Sequence, residues 1–317
     1  MKRLSKWAAV ALIVIGAGGL IVNFSELGAK VAGPEADPTA PIAPEHIQTA
    51  GTAPSAQAIE AAPEKDGKWQ KVEKRWEFDS GAFKNLSLST DYNLHIQVKT
   101  DASTDYLELR GVVSPEAAER AFRTGGEADG ISLDLTGKPK IQFLSFGSND
   151  ADVYLTLGLR DATQLENVSF ASSSGTGDFG ELTAEKLSIQ LSSGDLNARR
   201  LSAKHTDLTM TSGSIDVKEL DGASRIELSS GNLQIGAMNG DSVIRATSGT
   251  IDLTQKNSAN LDVEVSSGDI SIKPAADFAG VYDVRATSGS IDAPDSPGRN
   301  GDTIKVRATS GDISIKP

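Results

Sequence analysis

The sequence predicts an all-β chain whose C-terminal half is a single-stranded parallel β-helix with coils of about 19 residues, and three observations carry that prediction. The first is a repeated tripeptide. Gly175, Gly194, Gly213, Gly231, Gly249, Gly268, Gly289 and Gly311 each close a [Ser/Thr]-Ser-Gly unit, spaced 19, 19, 18, 18, 19, 21 and 22 residues apart. A fixed period near 20 is the mark of a stacked architecture. The second is an alternation that changes phase at each glycine. Counting from the Gly as zero, position −5 reads Ile189, Leu208, Ile226, Ile244, Val263, Val284 and Val306, and position +2 reads Leu196, Ile215, Leu233, Ile251, Ile270, Ile291 and Ile313. Alternation at spacing two is a strand with one buried face. A slip of one residue would turn every later side chain outward unless a bend absorbs it, and Gly tolerates the positive φ such a corner needs. Each repeat therefore reads as strand, Ser-Gly corner, strand and variable connector.

The third observation is charge. Position −4 runs Glu227, Arg245, Glu264, Arg285 and Arg307. If the coils stack in sequence order, the first four form a ladder of alternating sign, which adjacent strands favour. Asp252, Asp269, Asp292 and Asp312 would switch columns at each step in the same way. An antiparallel sandwich is the alternative, but it has no reason to alternate like this or to repeat one tripeptide. One coil buries too little to fold alone, since each aliphatic side chain contributes roughly 1.5–3 kcal/mol. Stacking supplies a shared core.

The elements follow in order. Lys2, Arg3 and Lys6 precede an apolar run from Trp7 to Phe24, long for a signal-peptide core and adequate for a membrane span. Residues 1–32 read as an uncleaved transmembrane helix, with a cleaved signal peptide as the alternative; Lys30 stands at −3 to a cut after Ala32. The basic flank places the N-terminus inside and the bulk of the chain outside a bacterial cell membrane as a single-pass protein. Residues 33–67 carry six prolines among many alanines and read as a semi-extended linker. Residues 68–170 alternate less regularly, at Leu86/Leu88, Leu94/Ile96/Val98, Leu107/Leu109, Ile131/Leu133/Leu135 and Val153/Leu155/Leu157/Leu159. Ser114-Pro115-Glu116 opens a short helix to about Arg123, with Ser as cap and Pro at the first position. This region is expected to form irregular first coils and a cap, and 171–317 the regular solenoid.

Cysteine is absent and the net charge is −12. Stability without disulfides suits an exported chain with a long stacked core. The acidic balance argues against nucleic acid and against a polybasic lipid-binding surface.

The segments LSIQLSSGDLNA, VRATSGSID and VRATSGDISIKP resemble a family of bacterial envelope proteins. These are the putative-adhesin β-strand-repeat proteins of unknown function, related to the head-GIN putative auto-transporter adhesins. The connectors Leu220-Asp221-Gly222 and Met238-Asn239-Gly240 match the family's return turn, and the likeness covers residues 70–317. Gly158 departs from it, standing where a Pro is usual. The resemblance implies a right-handed β-helix on the outer face of a membrane, in a setting that includes envelope stress. It carries no shared active site.

The chemistry reads accordingly. His46, His95 and His205 show no metal or relay spacing and read as solvent-facing, and no Ser of the corner column is paired with a His. Asp195, Asp216, Asp252, Asp269, Asp292 and Asp312 offer one acid per coil, far from the six to eight oxygens calcium wants, so corner solvation is the expectation. A polysaccharide-degrading enzyme would need acids with a Lys or Arg converging on one face. Asp207, Arg225, Asp262 and Asp283 share an outward column, but Val243 interrupts it and the signs read as ladder pairing. No catalytic residue, metal or cofactor is predicted. The reading is a non-catalytic, membrane-anchored surface module with an envelope partner, protein or wall polymer. A self-assembling scaffold is the alternative, since the strand GDISIKP is expected at an uncovered edge, blunted by Asp312, Lys316 and Pro317.

Overall fold

The structure, a computed structural model, describes residues 69–100, 102–137 and 151–317. The expected membrane helix, the linker and His46 lie outside these residues. Among the described residues no helix is long and apolar enough to cross a membrane.

Fifteen strands and one helix follow in the order β1 (Gln70–Phe78), β2 (Asn85–Thr90), β3 (Asn93–Lys99), β4 (Asp105–Val113), α1 (Pro115–Arg123), β5 (Gly130–Leu135), β6 (Asp152–Gly158) and β7 (Asn167–Ser172). Then come β8 (Gly177–Asn239), β9 (Ser242–Gln255), β10 (Leu261–Ser267), β11 (Ile270–Lys273), β12 (Val281–Ser288), β13 (Ile291–Asp292), β14 (Thr303–Ser310) and β15 (Ile313–Ile315). All the strands belong to one sheet. From β7 onward every pairing is parallel, with like positions of adjacent coils facing each other as in Ile226↔Ile244 and Val263↔Ile244, and the β8–β9 register shifts between Ile235 and Met238. The long β8 is several coils whose corners stay extended.

The coil around Gly194 shows how the sequence closes on itself. Leu187, Ile189 and Leu191 are buried, then Leu196 and Ala198, then Leu201 and Ala203, then Thr206, Leu208 and Met210 of the next coil. Within each group the step is two; between groups it is odd, so each coil has three corners rather than one. The connector expected after the second strand is thus a third extended run in this coil. Where the spacing shortens to 18 residues, a second positive-φ glycine appears at the last corner: Gly222 at φ 101° and Gly240 at φ 117°.

The corner glycines have two independent reasons to be glycine. Gly213 has φ 129°, and a Cβ built there would lie 1.7 Å from the carbonyl oxygen of Gly194 one coil below. Left-handed backbone alone costs other residues about 1–2 kcal/mol; the collision removes any accommodation short of opening the stack. The order of these contacts gives the order of the coils: 175, 194, 213, 231, 249, 268, 311, 289.

The last two coils are exchanged relative to the sequence. Strand β14 lies between β10 and β12, and β15 between β11 and β13. Three expectations are corrected here. Glu264 faces Arg307, not Arg285, so the ladder runs Glu227, Arg245, Glu264, Arg307, Arg285. The strand GDISIKP is interior, and the open edge is β12 with β13. The corner acids do not alternate either, because Asp269 and Asp312 are neighbours. Charge explains the exchange. In sequence order Asp283 would sit directly beside Asp262; as built, Lys305 separates them. The 21- and 22-residue spacings supply the slack for one strand to skip a level and the next to return.

The N-terminal end has the same inversion. Strands β5 and β6 lie outside β2 and β3, which pair on their other side with β7 and β8. Beyond β6 the pairing turns antiparallel through β4 to β1, and α1 packs on β5 and β1.

Candidate interaction surface

One outward face of the stack carries positions −6 and −4 of successive coils. In structural order the −6 column is Asp207, Arg225, Val243, Asp262, Lys305 and Asp283. Apart from Val243, neighbours along it have opposite sign. The ion pairs run within and between columns: Arg225–Glu227 2.5 Å, Arg245–Asp262 3.0 Å, Arg245–Glu264 3.2 Å and Lys305–Asp262 3.1 Å. Asp283 receives Arg307 and stands 3.6 Å from Arg285. Burial works against the Asp262 anion, yet Arg245 and Lys305 hold its carboxyl below the usual range. The hydrogen bond from Arg307 does the same for Asp283.

Two shallow grooves open on this side. One of about 390 Å³ is lined by Glu227, Arg245 and Glu264 with Ser229, Thr247 and Ser266. The other, of about 510 Å³, lies over His205, Asp207, Arg225, Val243 and Asp262. Glu227, Asp262, Glu264 and Asp283 are each paired with a base, while Asp207 and Asp241 in the second groove have no ion-pair partner among the described residues. Among the described residues no three His, Cys, Asp or Glu side chains are placed to hold a metal.

Of the residues singled out from sequence, Glu227, Arg245 and Glu264 stand together, and Arg285 stands at the open edge with its side chain 75 % exposed. The corner acids at position +1 have a use the sequence did not reveal. Asp195 accepts the backbone N–H of Ser214 at 3.0 Å, Asp269 that of Asp312 at 2.9 Å, and Asp312 that of Ser290 at 2.8 Å. Each acid stitches its corner to the next coil, and these bonds hold the Asp312 carboxyl below its ordinary range. His95 stacks on Tyr154 at 4.8 Å between Asp152 and Asp178, at 3.7 and 3.4 Å. Gly158 faces Tyr106 across the antiparallel pair; a Cβ there would lie 1.9 Å from that ring, which the Arg75 guanidinium covers at 3.7 Å.

Sequence reasoning missed two buried charges in the cap. The Lys74 ammonium donates to the carbonyls of Ala121, Phe122 and Thr124 at 3.1, 2.7 and 2.8 Å, closing the C-terminus of α1. Burial pushes its pKa down. Asp105, fully buried, accepts from Gly81 N–H at 2.6 Å, Arg160 N–H at 2.9 Å and the Gln164 amide at 2.8 Å, tying two loops to β4. Both are inward positions of alternating strands, where the sequence pattern leads one to expect an apolar residue.

Comparison with known proteins identifies the family. Residues 79–316 match the Toastrack DUF4097 family model, and the chain belongs to that family. No curated protein matches it. Among solved structures it is similar to a putative adhesin of Bacteroides fragilis, at 16% identity and TM-score 0.40 over 79% of this chain and 98% of that one. A putative adhesin of Parabacteroides merdae matches at 10% identity and TM-score 0.33, with the same coverage of 79% and 98%. A putative cell adhesion protein of Clostridium sporogenes matches at 11% and 0.24 over 78% and 99%.

Proposed function

We propose that this chain is a non-catalytic, adhesin-like interaction module, held at the outer surface of a bacterial cell membrane by its N-terminal helix and acting in the envelope, with stress response as its setting. The observation that carries the reading is the paired outward face. A stack of coils in strict register presents a flat, regularly spaced and locally neutral surface, suited to lying along an extended partner rather than enclosing a small substrate. Membership of the Toastrack DUF4097 family supports the adhesin-like assignment. Every acid of the −6 and −4 columns from Arg225 to Asp283 has a basic neighbour, which leaves no spare carboxylate there for acid–base work on a polysaccharide.

The test is crosslinking of the full chain in living cells, followed by identification of what is recovered. A wall polymer or an envelope protein captured through the paired face supports the proposal. Cleavage of polysaccharide by the purified chain, lost on Asp262→Asn, would overturn it.

A further inference from the structure

We propose that the open coil at the C-terminal end of the stack is a docking edge for a second copy of this chain, paired antiparallel with itself about Val284 to give a closed twofold dimer. This goes beyond the proposed adhesin-like role and does not depend on it.

The edge is real and unprotected in its centre. Strand β12 pairs with β14 alone among the described strands. In a parallel ladder alternate residues bond to one neighbour, and the Val281 N–H reaches back to Asp302 beside β14. The even-numbered residues therefore point their backbone groups outward. At Tyr282 these are taken by Ser296, whose hydroxyl accepts the Tyr282 N–H at 2.9 Å. Among the described residues no such cover reaches Val284 or Ala286. The core behind them is uncovered too: Ile291 is 46% exposed, and Tyr282, Val284 and Ala286 are only partly buried.

Charge chooses the occupant. Down the stack the −4 column alternates until its last step, where Arg285 lies directly beside Arg307. The edge thus ends on a base whose next neighbour should be an acid, while the −6 column ends on Asp283 and asks for a base. A second β12 turned antiparallel supplies both. With Val284 opposite Val284, Asp283 faces Arg285 of the copy and Arg285 faces its Asp283; the pairing is confined to residues 283–285, because Ser296 already holds Tyr282, the position opposite Ala286 of the copy. Shifting the register by two residues places Arg285 opposite Arg285, so only this register is complementary. At the other end the core is covered by α1, and the edge strand β1 turns the charged Lys74 inward, a known guard against pairing. One core end left uncovered among the described residues makes an isologous contact that closes at two copies.

The experiment uses the full chain in a mild non-ionic detergent and reads its mass by light scattering and sedimentation. The chain has no cysteine, so single substitutions report register. Val284→Cys places two thiols across the twofold at about 5.5 Å between Cα atoms, within disulfide reach, and should crosslink to a covalent dimer on mild oxidation. Thr287→Cys sits roughly 20 Å from its counterpart and should stay monomeric on a denaturing gel. Arg285→Asp sets acid against acid and should weaken the dimer about tenfold; the exposed side chain makes misfolding a minor concern. Ser296→Ala frees the Tyr282 backbone for a longer ladder and should tighten it. A monomer at every concentration, a ladder of higher oligomers, equal crosslinking at positions 284 and 287, or a dimer indifferent to Arg285→Asp would each overturn the proposal.

Discussion

At the N-terminal end β5 and β6 lie outside β2 and β3 although they follow them in the chain; at the C-terminal end β12 and β13 lie outside β14 and β15 although they precede them. Both ends are finished by the same device, a coil inserted out of sequence, but only the first is covered. There an antiparallel pair and a helix are pinned by two buried charges, Lys74 and Asp105, with backbone partners on every side. At the second end the core side chains stop at solvent. A stack of identical coils has no intrinsic way to stop, and the two ends are two different answers to that problem: one spends about a hundred irregular residues, the other ends on an edge with mismatched charge.

The comparison can be broken most sharply from the interior. Gly213→Ala, with its Cβ driven into the Gly194 carbonyl between two fixed coils, should destabilise by about 4 kcal/mol or more. The same change at Gly289 strains only the outermost coil, which can lift away, and should cost clearly less. Urea unfolding of the two variants measures the contrast; equal losses would mean the open coil is as tightly held as the middle.

Asp105→Ala tests the cap directly. It takes the acceptor from the N–H groups of Gly81 and Arg160 and from the Gln164 amide and leaves a cavity at a fully buried position, and the expected loss is about 2–3 kcal/mol. Hydrogen exchange should show the loss in β4 and the 160–164 loop while the C-terminal coils keep their protection.

A matched pair of truncations compares the ends themselves. Leu133→Ala removes a side chain that is 1% exposed beneath α1 and should cost about 2–4 kcal/mol. Val284→Ala removes a half-exposed one at the open edge and should cost under about 1 kcal/mol when measured on dilute monomer. A large effect at Val284 that grows with protein concentration would speak for the self-paired edge.

The smallest effect is acid sensitivity. The carboxyls of Asp283 and Asp312 are held below the ordinary 3.8 in the folded chain by Arg307 and by Ser290. A depressed folded pKa contributes stability that is full above the unfolded value and lost as pH falls through the folded one. The terminal coils should therefore loosen as the pH falls below about 4. Asp312→Asn should flatten that dependence at β13 and β15, read by amide exchange across the acid range.

The architecture was legible because it is written locally and repeatedly. The corner glycines, the alternation at −5 and +2 and the Ser114 cap each require a backbone geometry within a few residues, and the helix Pro115–Arg123 begins and ends where those signals fall. What the sequence hid is non-local. Nothing near Gly289 says that its coil will be the outermost, because that order is decided by Lys305 and Arg307, some twenty residues further on, reaching Asp262 and Asp283. The third extended run was hidden in connectors that vary from coil to coil. Lys74 and Asp105 were hidden for the opposite reason, since an inward charge is invisible until its backbone partners are placed around it.

The insertion of β14 also sets an order of events in time. While residues 281–292 are present and residues 303–315 are not, the only site for β12 is the one against β10, with Asp283 beside Asp262. The last strands must then pry that contact open, or arrive before it forms, and the connector from Pro274 to Gly280, between β11 and β12, is the hinge on which the outer coil swings away. Cutting the chain at residue 302 would not trim the stack from its tip; it would remove a slice from within.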